Sequence, residues 1–139
     1  MKQLIRRDAY REGAFTLASG RPSTYLVDVK RVALQPEGAW LLGSAMAEVI
    51  RNQWPSARGA GGRTLGADPL ATAIAIASHQ SPQPLEAFIV RKEPKDHGSG
   101  VMIERSAQLR DGDPVVIIED VATTGGSALK AVEAARREG

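Results

Sequence analysis

The feature that most constrains the fold of this 139-residue sequence is a run of thirteen residues late in the chain. Residues 115–127 read Val-Val-Ile-Ile-Glu-Asp-Val-Ala-Thr-Thr-Gly-Gly-Ser, so four apolar residues precede two carboxylates and a loop rich in hydroxyl groups and glycine. A continuous apolar run is typical of a strand that is buried on both faces of a parallel sheet. The loop leads into a periodic segment that predicts a helix over Gly126–Glu138. This run therefore predicts a strand–loop–helix unit of an α/β fold.

The same loop has the chemistry of a phosphate site. The hydroxyl groups of Thr123, Thr124 and Ser127, the backbone N–H groups and the positive end of a helix would all meet there. Glu119 and Asp120 are placed instead to accept hydrogen bonds from sugar hydroxyls, directly or through a divalent ion. We therefore predict a cradle for ribose 5-phosphate. The alternative is that the hydroxyl groups only cap a helix and that the acids are solvated.

The rest of the chain alternates helices and strands. Helices are predicted at residues 4–12, from Pro36 to shortly before Pro55, and from Asp68, the expected cap, to about Ser78. Strands are predicted at residues 85–90 and 115–118, and residues 57–63 would form a poor strand because they are rich in glycine. Strands at residues 15–17 and 24–27, joined by a turn, predict an N-terminal hairpin. We expect one domain over residues 1–139, with a parallel sheet covered by helices on both faces.

Within the predicted helices, the spacing of apolar residues indicates which sides face the core. Leu42, Met46, Val49 and Ile50 share one face of the helix after Pro36. In the closing helix, one side holds Leu129, Val132 and either Ala135 or Arg136. Because residues 115–118 are apolar on both faces, we expect a central strand with residues 85–90 and 58–62 as candidate neighbours.

Two further polar segments follow predicted strands, where parallel sheets bind their ligands. Residues 61–68 hold three glycines and the cation Arg63. Residues 91–97 hold three cations, Arg91, Lys92 and Lys95, together with His97. Gly98 and Gly100 follow, and predict poor order around Ser99 in the absence of ligand. The alternatives are an ordinary turn for the first segment and a solvated charged loop for the second.

Composition excludes several classes of protein. The chain has no cysteine and two histidines, which excludes a disulfide scaffold, Cys-ligated zinc, thiol catalysis and a His-rich metal site. With 18 Lys and Arg against 16 Asp and Glu, the net charge of +2 indicates neither a nucleic-acid nor a membrane partner. No signal-peptide pattern is seen, so we expect a cytoplasmic protein.

The motifs together resemble a known family. Residues 115–127 resemble the phosphoribosyl-diphosphate-binding motif of the type I phosphoribosyltransferases. Residues 88–98, Phe-Ile-Val-Arg-Lys-Glu-Pro-Lys-Asp-His-Gly, are similar to the strand and catalytic loop of orotate phosphoribosyltransferases, which read Arg-Lys-x-x-Lys-x-His-Gly. Residues 15–20 resemble that family's N-terminal turn beside orotate, and residues 61–69 resemble its pyrophosphate loop.

This resemblance implies the type I phosphoribosyltransferase fold with an N-terminal hairpin hood, transfer of ribose 5-phosphate to orotate, Mg²⁺ as cofactor, and a homodimer with shared active sites. It implies that Lys95 and His97 act on the diphosphate side, that Asp120 is catalytic, and that Thr123 also approaches orotate. Phosphoribosyl diphosphate would be bound by Arg91, Lys92, Lys95, His97, Glu119, Asp120, Val121, Ala122, Thr123, Thr124, Gly125, Gly126 and Ser127. Read physically, the cations of residues 91–97 would stabilise the charge that develops on a departing diphosphate.

Some features depart from the family's pattern. The family's fold continues after the helix that ends near Glu138, so we expect the C-terminal part, with an arginine that meets orotate, to be missing from this sequence. Ala18 stands where some relatives carry a basic residue, and Ile103-Glu104-Arg105 replaces an expected Ile-Glu-Gly. The alternatives are a purine phosphoribosyltransferase, or a regulatory nucleic-acid-binding protein that uses the same fold as a sensor of phosphoribosyl diphosphate.

Overall fold

The computed structural model describes residues 1–17, 20–94 and 101–139 of the chain. Within these residues the elements follow in the order α1 (Lys2–Asp8), β1 (Tyr10–Thr16), β2 (Pro22–Val27), α2 (Lys30–Ala33), α3 (Pro36–Gln53), β3 (Gly59–Arg63), α4 (Ala67–Ser78), β4 (Glu86–Val90), β5 (Ile103–Arg105), β6 (Val115–Ile117) and α5 (Gly126–Glu138). None of the helices described here is long and apolar enough to cross a membrane.

A four-stranded sheet in the order β5–β4–β3–β6 forms the centre of the described fold. Strand β3 is parallel to β4, with Gly61 opposite Phe88, and parallel to β6, with Gly61 opposite Ile117. Strand β5 is antiparallel to β4 and adds a mixed edge in a segment where we predicted no strand. The predicted α/β architecture is confirmed, and the carboxyl ends of β3, β4 and β6 meet at one edge.

Helices cover both faces of this sheet, as predicted. Along β6, Val116 packs against the core formed with α3 and α4, whereas Val115 and Ile117 pack against the core formed with α5. Alternate residues of a strand point to opposite faces, so β6 is apolar on both sides because it contacts both layers. The core on the α5 side joins Phe88, Val90, Leu109, Ala131 and Ala134.

Strand β3, which the sequence marked as a poor strand, is internal to the sheet and pairs on both sides. Its glycines are explained by close approach: a Cβ atom at Gly61 would lie 2.6 Å from Cγ of Phe88. Contacts of that length are not tolerated between carbon atoms, so the large Phe88 ring takes the space over the strand. The low strand propensity of glycine is overridden here by packing against the neighbouring strand β4.

Of the two candidate neighbours of residues 115–118, the structure confirms residues 58–62 and not residues 85–90. We expected sequence beyond this chain to supply a further strand, so the central position of residues 115–118 stays a prediction. Within the described residues, strand β6 pairs with β3 alone and lies at the sheet edge, while β4 occupies the other side of β3. Strand order depends on how the chain crosses over, and an apolar pattern reports burial of the two faces without reporting the number of neighbours.

Three local predictions are corrected by tertiary contacts. Helix α1 ends at Asp8, and Tyr10 pairs instead with Val27 in the hairpin of β1 and β2. Val49 and Leu129, which we placed on apolar helix faces, are 47% and 62% exposed. Apart from Ile50, the buried residues of α3 and α5 are alanine and glycine, because small side chains allow the helices to approach their neighbours closely.

Candidate active site

The predicted cradle, residues 119–127, forms a concave surface where β6 ends and α5 begins. A cavity of about 180 Å³ is lined by Glu119, Val121, Ala122, Thr123, Thr124, Gly125, Gly126 and Ser127. Gly125 has a φ of 76°, a left-handed conformation that favours glycine, and turns the chain directly into α5. Thr123 and Thr124 are exposed, so the cavity combines accessible residues bearing hydroxyl groups with the unpaired N–H groups of a helix start.

Glu119 lines this cavity, and its carboxyl group has a raised pKa. Burial raises the pKa of Glu119, the Ser127 hydroxyl opposes the rise, and the adjacent Asp120 carboxylate adds to it. Its Oε2 atom is buried and has no hydrogen-bond partner among the described residues. A buried carboxylate oxygen without a donor is an acceptor site that a ligand hydroxyl could satisfy.

Asp120 is not among the residues that line the cradle cavity, and its carboxylate contacts the N-terminal part of the chain instead. The Lys30 ammonium donates a hydrogen bond to Asp120 Oδ2 at 3.1 Å and forms an ion pair with Asp28 Oδ1 at 3.3 Å. Burial lowers the pKa of Lys30, but hydrogen bonding to Asp120, helped by Asp28, outweighs this and raises it. Our sequence reasoning missed Lys30 and Asp28, because no spacing pattern links them to a residue about 90 positions away.

The segment after β3 is tied to both neighbouring elements. The Thr64 N–H donates to Val90 O at 2.9 Å, and Thr64 Oγ1 donates to Asp68 Oδ2 at 2.6 Å. Helix α4 starts two residues earlier than expected, with Gly66 rather than Asp68 at the cap position, and has no side-chain cap. The expected capping role of Asp68 is therefore wrong, because its carboxylate bonds Thr64 and holds this loop closed.

A basic cavity of about 230 Å³ lies beside the end of β4. Of the described residues, Arg63, Arg91, Lys92, Lys130 and Arg137 line it as cations, and Glu133 is its one carboxylate. Arg91 Nη1 donates to Glu104 Oε1 at 3.0 Å, while Arg91 Nε is buried without a partner in the described part of the chain. The structure thus brings Arg63 from the first segment predicted for diphosphate, and Arg91 and Lys92 from the second, to one electropositive cavity.

Several predicted residues lie outside the described part of the chain. These are Lys95 and His97, the region of Gly98, Ser99 and Gly100 for which we predicted poor order, and Ala18 in the N-terminal hairpin. Described residues on either side of these segments are hydrogen-bonded to one another. The Arg91 N–H donates to Met102 O at 2.8 Å, and the Leu17 N–H donates to Arg21 O at 2.9 Å.

The described residues offer few ligands for a divalent metal. Among the residues that the structure describes, no group of three or more Asp, Glu or His side chains is arranged to hold a metal ion. Mg²⁺ in phosphate chemistry is bound by one or two carboxylates together with substrate oxygens and water. Glu119 and Asp120 fit this second arrangement, with the unpartnered Glu119 Oε2 as the open acceptor.

Curated proteins that are similar to this chain belong to one family. No protein-family model matches the chain. An orotate phosphoribosyltransferase from Aquifex aeolicus (strain VF5) is 49% identical over 92% of this chain and 68% of its own length. The orotate phosphoribosyltransferase from Rhodopirellula baltica is 43% identical over 98% of this chain and 72% of its own length.

Solved structures agree. The orotate phosphoribosyltransferase of Mycobacterium tuberculosis H37Rv in complex with Fe(III) dicitrate has a TM-score of 0.79 at 42% identity, covering 99% of this chain and 74% of that chain. The structure of that enzyme with 5-phospho-α-D-ribosyl 1-diphosphate has a TM-score of 0.74 at 39% identity, covering 99% of this chain and 72% of that chain. With sequence, fold and the order of the motifs in agreement, the chain belongs to the orotate phosphoribosyltransferase family.

Proposed function

We propose that this chain transfers ribose 5-phosphate from phosphoribosyl diphosphate to N1 of orotate, giving orotidine 5′-phosphate and diphosphate. The observation that carries the proposal is the cradle, where Glu119 and residues 121–127 line one cavity at the start of α5. A helix start with hydroxyl side chains binds a phosphate, and the family relatives make the sugar phosphate the natural ligand.

In this proposal the 5-phosphate lies against residues 123–127, with Val121 and Ala122 forming the cavity wall beside it. Glu119 Oε2, which lacks a donor among the described residues, accepts a hydrogen bond from a ribose hydroxyl. Thr123 lies at the open side of the loop and would also approach orotate, as the family resemblance implies. The substrate would then be held at both ends of its sugar.

Asp120 is proposed as the catalytic carboxylate. It lies between the cradle and the segment after β3, where its Oδ1 atom packs against Gly66. The anomeric carbon of bound phosphoribosyl diphosphate must likewise lie between the 5-phosphate and the diphosphate. When the bond to diphosphate breaks, positive charge develops on the sugar ring, and a fixed carboxylate nearby stabilises that charge.

The diphosphate is proposed to lie at the basic cavity. Arg63, Arg91 and Lys92 line that cavity, and Arg91 Nε is a buried donor without a partner among the described residues. Lys95 and His97 follow in the chain and are proposed to complete the cationic environment of the leaving group. Fixed cations lower the barrier because the departing diphosphate gains negative charge.

Mg²⁺, when bound between the diphosphate and the ribose hydroxyls, would supply positive charge that offsets the leaving group. Glu119 and Asp120 are the residues that would hold it, through the ribose hydroxyls or directly. We further propose a homodimer with shared active sites and one phosphoribosyltransferase domain over residues 1–139. The cytoplasmic location stays a prediction.

The test combines a binding and an activity measurement. Thr124→Val with Gly125→Ala should weaken phosphoribosyl diphosphate binding at least about tenfold, because a hydroxyl donor is lost and the left-handed turn is strained. Thr72→Val, an exposed threonine on α4, is the matched control and should bind normally. Unchanged affinity of the cradle variant by calorimetry would overturn the cradle assignment.

Diphosphate release then identifies the acceptor. Release should require orotate and should not occur with adenine, hypoxanthine or guanine. A purine-dependent release would favour the purine phosphoribosyltransferase alternative, and binding without any release would favour a sensor role.

A further inference from the structure

The contact between Lys30 and Asp120 links the N-terminal hairpin to the sugar site. Lys30 is the first residue of α2, immediately after the hairpin of β1 and β2, and Asp120 directly follows the end of β6 and Glu119. Their atoms Nζ and Oδ2 are 3.1 Å apart, although 90 residues separate them in sequence. This inference rests on the proposed ribose site.

The Asp120 carboxylate is confined on two sides. Its side chain is 11% exposed, and its Oδ2 atom is bound by Lys30. On the other side its Oδ1 atom packs against Gly66 at the start of α4, where it is the first atom that an added Cβ would meet. Rotation of the carboxylate would therefore need either loss of the Lys30 bond or displacement of the segment after β3.

Two carboxylates, Asp28 and Asp120, lie within ion-pair distance of the Lys30 ammonium. Asp28 Oδ1 lies 3.3 Å from Nζ, Asp120 Oδ2 lies 3.1 Å from it, and Glu119 is adjacent to Asp120 in the chain. Like charges this close repel one another unless a cation lies between them. The position of Nζ, with two carboxylate oxygens within ion-pair distance, is one that a divalent cation could otherwise occupy.

We propose that Lys30 is a positioning residue for the transfer reaction: it orients the Asp120 carboxylate towards the ribose of phosphoribosyl diphosphate and serves as its built-in counter-ion in place of a free divalent cation. Helix α2 thereby contributes to the proposed sugar site through Lys30.

A double-mutant cycle tests whether Lys30 acts through Asp120. Lys30→Met should weaken phosphoribosyl diphosphate binding about tenfold, the size expected for loss of a charged hydrogen bond. In the Asp120→Asn background the same change should have an effect of less than about twofold, because its target is gone. Lys30→Arg, which keeps the charge, should restore most of the affinity.

A purely structural link between the hairpin and the sheet gives a different pattern. Lys30→Met would then weaken binding by the same factor in both backgrounds, and that result would overturn the proposal. Arg31→Met is the matched control, since Arg31 is exposed on the same helix and its loss changes the net charge equally. Thermal unfolding of each variant reports any loss of folded protein, and Lys30→Gln provides a second neutral variant.

Mn²⁺ alone provides a readout that is independent of substrate. Water-proton relaxation should show no Mn²⁺ bound at this position in the unaltered chain, and binding should appear in Lys30→Met and be lost in Lys30→Met with Asp120→Asn. Failure of Lys30→Met to bind Mn²⁺ would overturn the counter-ion role.

If phosphoribosyl diphosphate does not bind the unaltered chain, the proposed function fails. If it binds equally well to Lys30→Met, this inference alone fails.

Discussion

Replacing Glu138 with Ala should loosen the junction between β5 and α5, the helix whose first turn borders the cradle. The Glu138 carboxylate accepts hydrogen bonds from the Met102 N–H at 2.8 Å and from the Ile103 N–H at 3.1 Å. One side chain in the last turn of α5 therefore holds the chain where it enters β5. A negative charge is unfavourable at the C-terminal end of a helix, so these two bonds supply the stabilisation.

The magnitude follows from those two bonds and their exposure. A hydrogen bond to a charged group contributes about 1.5–3 kcal/mol when water is excluded, and less where water can replace the lost acceptor. Glu138, Met102 and Ile103 are half-buried, so each bond contributes only about 0.75–1.25 kcal/mol. Relief of the helix-dipole repulsion subtracts about 0.5 kcal/mol from the sum of the two bonds. The net loss in Glu138→Ala should be about 1–2 kcal/mol, which corresponds to amide exchange about 5- to 30-fold faster.

Hydrogen exchange at the Met102 and Ile103 amides is the assay, because it reports the two lost bonds directly. Glu138→Gln keeps one acceptor oxygen and should show about half the loss in free energy. Glu133→Ala, an exposed residue on the same helix, is the control and should leave both amides unchanged. Unchanged exchange in Glu138→Ala, or equal acceleration in Glu133→Ala, would refute the reasoning.

Two further predictions concern the charged groups of the site. Burial raises the pKa of Glu119, so the folded protein binds this proton more tightly than the unfolded chain, and stability falls as the pH rises from the ordinary glutamate value through the raised one. Glu119→Gln should flatten that part of the pH profile in urea unfolding, and superimposable profiles would contradict the assignment. Lys95→Ala should lower turnover about 100-fold while leaving the affinity for phosphoribosyl diphosphate largely unchanged, since its charge is needed most as diphosphate departs. Wild-type turnover would show that Lys95 is only a solvated residue.

The cradle was predictable because its information is local. A strand, its carboxylates, the loop and the helix start lie within residues 115–127, so chain connectivity alone brings Glu119, Thr124 and Ser127 together. Residues 61–68 and 91–92 were assigned to one sheet edge for a related reason, since parallel strands present their carboxyl ends on the same side. In each case the residue pattern predicted that the segment follows a strand. The geometry of a parallel sheet then places the ends of those strands at one edge.

Other features depend on contacts between distant segments. The glycine-rich strand β3 looked unsuitable for a sheet until the Phe88 ring was seen to fill the space above Gly61. Strand β6 has the apolar pattern of a central strand, yet in the described residues it pairs with β3 alone. Asp68 has the position of a helix cap in sequence, but its carboxylate bonds Thr64 instead.

What the sequence determined by itself was the order of the longer elements, though not α2 or β5, together with the two-layer burial of residues 115–118 and the chemistry of the loop that follows them. These properties depend on periodicity and on neighbours within a few residues. Tertiary structure alone decided strand order, the basic cavity around Arg91, and the pairing of Lys30 with Asp120 across 90 residues. Those contacts arise from how whole elements pack, and no local pattern carries the position of a partner that far along the chain.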